Sequence, residues 1–242
     1  GPRQTRYACL YTYLPGSTIA WDAYTRKHLS LLGQTMGLMH RTWQDCSCDG
    51  LPDVAATYLA ITDHMARYFA AAPVTAAIAA KLQLQIPLLT LQRQQGVLRA
   101  AACLPGRQPL HMDFVRSNIL FTDAPPSEFG MAISGMLDFE KTALGNPVID
   151  VARTLAFLLV DCKHKTPPAV RRAFLRSGYQ KRGGGRLDTS ARRLLEPLLD
   201  AFLLYDFYKF LRHNPYESLP ANEHFTRTRD LLLARRIIDN SC

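Results

Sequence analysis

Apolar positions along this chain follow a helical period over most of its length and break into short runs in the middle. Between Trp21 and Thr42 they fall at Tyr24, Leu31, Leu32, Met36 and Met39, a spacing that suits one helix face. A second helix is expected from Asp53, a cap residue, to about Ala70, with Asp45 to Pro52 as the loop between them. Two more helical segments lie between Val74 and Ala102, divided near Pro87, and Pro105-Gly106 then breaks the chain. From Pro109 to Glu140 the pattern changes. Short apolar runs at Asn118–Phe121 and Met131–Leu137 flank the Pro125-Pro126 turn, which predicts a small hairpin. Tyr7 to Tyr13 has β character and stops at the turn Leu14-Pro15-Gly16-Ser17. After Asn146-Pro147 the helical period returns over 148–161, 168–181, 189–213 and 223–239, with Gly183-Gly184-Gly185 as a flexible break. The fold class expected is α+β, mostly helical, with a small β insert at its centre.

Composition changes this picture little. The 242 residues are 48% hydrophobic and 20% charged, the balance of an ordinary globular protein. No run reaches eighteen apolar residues, which argues against a membrane span, and residues 1–20 hold no signal-peptide pattern. Gly1-Pro2 has the look of a cleaved-tag scar, so a fragment of a longer product is expected. Six cysteines form neither a C-x-x-C pair nor a zinc spacing, which points to free thiols in a reducing cytoplasm. Charge is less even. Residues 163–193 carry ten Lys and Arg against the single acid Asp188, a surplus equal to the net charge of +9. That segment is either a solvated helical face or an attractor of anions. No aromatic or Gly-rich nucleic-acid motif accompanies it, so nucleic acid is not the expected partner.

The hairpin region carries the chemistry. His111-Met112-Asp113-Phe114-Val115-Arg116-Ser117-Asn118 reads H-x-D-x-x-x-x-N, and Leu137-Asp138-Phe139-Glu140 follows. A carboxylate and an amide five positions apart, with a second carboxylate further on, fit phosphoryl transfer, in which the protein positions a nucleophile and holds Mg²⁺ against phosphate oxygens. Asp113 is the expected general base. Asn118 and Asp138 are the expected metal ligands, all-oxygen donors of the kind Mg²⁺ favours. His111 is expected at the catalytic loop as an organiser through a ring nitrogen rather than as a proton carrier. Arg116 is either a contact to the γ-phosphate or a surface side chain. Glu140 is either a supporting group or a loop acid, and Asp150 heads a helix whose dipole favours an acid there.

At these residues the chain resembles the aminoglycoside phosphotransferase and choline kinase-like family of small-molecule kinases. The resemblance runs from His111-Met112-Asp113 through Asn118-Ile119-Leu120-Phe121 and Leu137-Asp138-Phe139-Glu140 to Gly145-Asn146-Pro147 and Asp150-Val151-Ala152. It implies a protein-kinase-like C-terminal lobe whose small hairpin carries the catalytic and metal loops. Residues 1–16 would be the end of the small lobe and a hinge, and 17–242 the large lobe. Within the latter, 109–160 would form the catalytic core, and 45–102 and 168–240 a helical acceptor-binding part. The hinge backbone at Tyr11, Thr12 and Tyr13 would meet the adenine of ATP, with GTP as the other candidate nucleotide. Asp150 would support the catalytic loop, and His40 matches a His that closes the first large-lobe helix. The acceptor implied is a small molecule with a hydroxyl group. The β-rich small lobe, with its phosphate-covering loop and phosphate-binding Lys, is not found in the sequence. It would come from the longer product or from another chain. A non-catalytic kinase-like module that binds a ligand or partner is the alternative function.

Overall fold

The computed structural model describes residues 12–46, 49–124, 127 and 129–241. Helix α1 (Arg26–Trp43) begins five residues later than its apolar pattern implied. Thr25 caps it: its hydroxyl accepts from the His28 N–H at 3.2 Å while His28 Nδ1 accepts from the Thr25 N–H at 3.1 Å. Helix α2 (Val54–Ala70) starts at the expected cap, Asp53, whose carboxylate takes the Ala56 N–H at 2.7 Å. Helices α3 (Ala72–Leu82) and α4 (Leu88–Ala102) follow, separated by the short strand β1 (Leu84–Gln85) and Pro87.

Three two-stranded antiparallel ladders interrupt the helices. Strand β2 (Gln108–Leu110) pairs with β5 (Ala143–Gly145), and β3 (Ile119–Asp123) with β4 (Met131–Met136), the hairpin that the sequence predicts. The loops before β3 and after β4 therefore leave the hairpin at the same end. β1 is paired by β6 (Asp239–Asn240). The two ladders outside the hairpin are two or three residues long, too short for any alternation of apolar and polar positions to announce them.

Helix α5 (Pro147–Asp161) is capped by Asn146 with Pro147 in its first turn, and buries twelve of its fifteen residues. A helix apolar all round belongs in the centre of a domain, and α5 packs there against α7 (Thr189–His213), which contributes Leu198, Leu199, Phe202, Leu203 and Phe207. The helix expected over 168–181 is two pieces: an α-helical turn and a half, α6 (Pro167–Arg171), continuing as a π-helix over Arg172–Arg182. Its wider winding lets backbone meet backbone on α1. A Cβ on Gly33 would stand 2.0 Å from the Phe174 carbonyl oxygen, and one on Gly178 would stand 2.5 Å from that of Ser30. The Gly183–Gly185 segment is a packed turn rather than a flexible break. Gly183 and Gly185 are buried, and the Gly185 N–H donates to the Tyr179 carbonyl at 2.8 Å. Helix α8 (Glu223–Ala234) ends before the expected residue 239 because the chain turns, with Arg236 at φ 56°, into β6.

Candidate active site

The site is assembled on α5. Asp150, fully buried in its first turn, accepts the backbone N–H of His111 at 2.9 Å on Oδ2 and that of Met112 at 3.0 Å on Oδ1. His40, near the end of α1, adds its Nε2 to Oδ2 at 3.2 Å and holds Tyr179 through Nδ1 at 2.9 Å. These bonds fix a loop that bends sharply. Met112 sits at φ 62°, a left-handed conformation that costs a non-glycine residue about 1–2 kcal/mol and persists only where surroundings enforce it.

The bend puts His111 and Asp113 on different tasks. His111 is wholly buried; its Nδ1 accepts the Asp113 N–H at 3.3 Å, so its Nε2 carries the proton and donates to the Leu137 carbonyl at 3.1 Å. His111 is therefore a positioning residue that ties the Asp113 loop to the Asp138 loop. The Leu137 N–H makes a second tie to the Asn118 carbonyl at 2.8 Å. Asp113 is largely buried. Asn118 Nδ2 donates to the Asp113 carbonyl at 3.0 Å and to its Oδ2 at 3.2 Å. Since both partners are acceptors, the amide orientation is settled, and Asn118 Oδ1 keeps only a 3.4 Å contact from the Ser117 hydroxyl. Asp138, the residue after Leu137, is at φ 62° and exposed; its only hydrogen bond among the described residues is from the Glu140 N–H at 3.4 Å. The sequence reading missed Lys141. Its Nζ lies 2.8 Å from Asp113 Oδ2, and nothing but its place three residues after Asp138 could have pointed to it.

A cleft of about 1010 Å³ opens beside these loops, lined by Thr12, Tyr13, Leu14, Leu137, Asp138 and Phe139 among others. Seven large apolar side chains are exposed among the described residues, and four of them (Tyr13, Leu14, Leu137 and Phe139) line this cleft, as expected of a surface kept for a ligand. The expected hinge is held to the hairpin: Ser17 and Phe121 exchange N–H and carbonyl at 2.9 and 2.8 Å, and the Ser134 hydroxyl donates to the Pro15 carbonyl. Thr12 and Tyr13 thus face the cleft; Tyr11 lies outside the described residues.

Arg116 turns elsewhere. Its guanidinium meets the Asp161 carboxylate at 3.4 Å and the Ile19 carbonyl, and no bond joins it to Asp113, Asn118 or Asp138. Asp161 lines a separate cavity of about 510 Å³, with Phe157, Asp206, Lys209, Phe210 and His224. Burial pushes the Asp161 carboxyl up, against the pull of Arg116 and His224. For Asp206 burial acts in the same direction, but the Arg153 guanidinium, bidentate at 2.7 and 3.0 Å, and Lys209 at 2.8 Å reverse it and hold the carboxyl below the usual range.

The sequence profile of the phosphotransferase enzyme family, APH, matches residues 1–188. The chain belongs to that family. Among solved structures it resembles an aminoglycoside phosphotransferase from Alicyclobacillus acidocaldarius (TM-score 0.55, 14% identity, 93% of this chain and 70% of that one). It also resembles an ethanolamine kinase from Plasmodium vivax (TM-score 0.53, 14% identity, 94% of this chain and 65% of that one). A macrolide 2′-phosphotransferase from Brachybacterium faecium matches at TM-score 0.47 and 17% identity over 92% of this chain and 68% of that one. Comparison with curated proteins gives no match. The mostly helical fold with its small hairpin is that of the C-terminal lobe of the APH structures. No helix among the described residues is long and apolar enough to cross a membrane.

Proposed function

We propose that the protein containing this lobe transfers the γ-phosphoryl group of ATP to a hydroxyl group of a small molecule. The observation that carries the reading is the bonded unit of Asp113 and Asn118, tied through the Asn118 carbonyl and the Leu137 N–H to the loop on which Asp138 lines an apolar cleft. The cleft suits a nucleoside base, stacked between Leu14, Leu137 and Phe139, with its polar edge toward the backbone of Thr12 and Tyr13. GTP meets the same description. The Asn118 amide oxygen and the Asp138 carboxylate fit Mg²⁺ by donor chemistry: hard oxygens, few in number, with phosphate oxygens and water left to complete the shell. When bound, Mg²⁺ would neutralise charge on the transferring phosphoryl group.

The residues of the chain do the rest. Asp113 accepts the proton of the acceptor hydroxyl as that oxygen attacks phosphorus. Asn118 Nδ2 and Lys141 Nζ both hold the Oδ2 oxygen of Asp113, which leaves Oδ1 to meet the hydroxyl and fixes the base in one orientation. The acceptor would enter from the cavity at Asp161, which Arg116 joins to the catalytic loop. In that cavity Asp161 is met by Arg116 and His224, and Asp206 by Arg153 and Lys209. No acid is left over to receive a polycation, which favours a neutral or anionic acceptor. The chain spans 65–70% of the Plasmodium and Alicyclobacillus enzymes, so activity is proposed for the lobe together with a phosphate-covering small lobe. The test is transfer of labelled phosphoryl from ATP to a panel of neutral, anionic and cationic alcohols by the two-lobed protein. Asp113→Asn should lower kcat by about a hundredfold or more. Turnover unchanged in that variant would remove Asp113 from the chemistry.

A further inference from the structure

The basic segment lines cavities that share no residue with the apolar cleft. Two cavities, of about 430 and 490 Å³, share Gln180 as a common wall. The first is lined by Arg41 and Arg186 beside the glycine turn, with buried Tyr179 behind them; the second by Arg172, Arg176 and Lys181. No acid lines either one. These five cations make no hydrogen bond or ion pair with any described residue, whereas Lys163, Arg171 and Arg153 nearby in sequence are met by Glu223, Glu196 and Asp206.

The π-helix creates the row. In an α-helix, nine residues at about 100° each would put Arg172 and Lys181 on opposite faces. At the roughly 4.4 residues per turn of i→i+5 winding, the two differ by only about 15°, and Arg176 lies about 35° to the other side of Arg172, so the three share one face. The departure from regular helix therefore has a chemical result, three cations on one face, and π-winding occurs frequently at functional sites. Gly184, at φ 67°, brings the turn against Arg41: a Cβ there would stand 3.0 Å from Nη1, so the guanidinium lies over the turn and joins the first cavity to its backbone.

We propose that the joined cavities bind an oligophosphate, either free or carried on a small organic molecule. A single phosphate would leave most of the five charges unmet. A nucleic acid would need exposed aromatic faces or a longer groove, and the aromatic ring here, Tyr179, is buried. The test needs neither turnover nor a small lobe. Tripolyphosphate is titrated calorimetrically into the full chain in EDTA, beside Arg41→Gln/Arg186→Gln and Arg172→Gln/Lys181→Gln, with thermal melting to show that the exposed substitutions leave the fold intact. Asp138→Ala serves as the control for the nucleotide cleft. Binding that weakens with salt, falls at least tenfold in both double variants and is kept in Asp138→Ala supports the site. ATP binding more tightly than tripolyphosphate through the same arginines would identify an organic carrier, and equal affinity the bare chain. Absence of tripolyphosphate binding at millimolar concentration, binding indifferent to the four substitutions, or a duplex oligonucleotide that outcompetes tripolyphosphate through them would overturn the proposal.

Discussion

Replacing Asp150 by Asn changes one charge and one acceptor in a place where both are in use. The carboxylate accepts three bonds, from His40 and His111 on Oδ2 and from Met112 on Oδ1, and is entirely out of water. An amide can put its oxygen at the Oδ2 position and keep two of them. Its NH₂ then points at the Met112 N–H, donor against donor. A hydrogen bond to a charged buried group contributes about 1.5–3 kcal/mol, and an orphaned buried N–H costs a similar amount. Weakening of the two surviving bonds by loss of charge adds to this, so Asp150→Asn should lose about 2–4 kcal/mol. Urea unfolding followed by circular dichroism measures it, with the midpoint shifting and the slope unchanged. A second readout locates the damage. Met112 is held at φ 62° by the bond that is lost, so the Asp113 loop should relax and the amides of 111–114 should exchange faster with solvent. A loss below about 0.5 kcal/mol would refute the reasoning, because it would mean that the loop is held by something other than Asp150.

Four further outcomes follow from other parts of the fold. Gly33→Ala drives a methyl group into the Phe174 carbonyl at 2.0 Å and should destabilise by about 3 kcal/mol or more; Gly96→Ala, mid-helix with open space around it, should stabilise by about 0.5–1 kcal/mol in the same urea assay. Burial raises the Cys162 thiol to about 12, so at pH 8 iodoacetamide should label Cys46 and Cys103, both exposed, and leave Cys162 unmodified until the protein unfolds, as read by peptide mass mapping. Asp206 has a folded pKa below its unfolded value of about 3.9, so its contribution is complete above that pH and is lost as pH falls through the lower folded value. Acid titration of stability should therefore show a drop below about pH 4 that is smaller in Asp206→Asn, a variant that also strands the buried Arg153 at a cost of about 3–5 kcal/mol.

The sequence carried the long elements well, for identifiable reasons. Helix α7 has the bounds expected, 189–213; in the structure Asp188 caps it and the following apolar positions are dense. The hairpin was expected from two apolar runs about a turn. Elements defined by long-range pairing were invisible: β1 with β6 and β2 with β5 are two or three residues each and exist only because distant segments meet. The π-helix was read as ordinary helix, since its own periodicity gives no sign of the wider winding, and the glycine contact with α1 that goes with it joins segments far apart in sequence. In the site, Asp113, Asn118 and Asp138 stood out by type and spacing. Their supports were harder to find. The supporting role of Asp150, and His40 altogether, entered only through a family resemblance, and Lys141 was missed because no spacing rule links it to Asp113. Arg116 sits inside the catalytic loop by sequence, yet its partner, Asp161, is at the far end of α5.

The central claim is that the apolar cleft and the Asn118–Asp138 edge form one site for a metal-bound nucleotide. Calorimetric titration of MgATP into this chain and into Asp138→Ala tests it most directly. The account predicts binding to the parent chain that weakens by at least about tenfold, 1.4 kcal/mol, in the variant. Equal affinity in both proteins would contradict it.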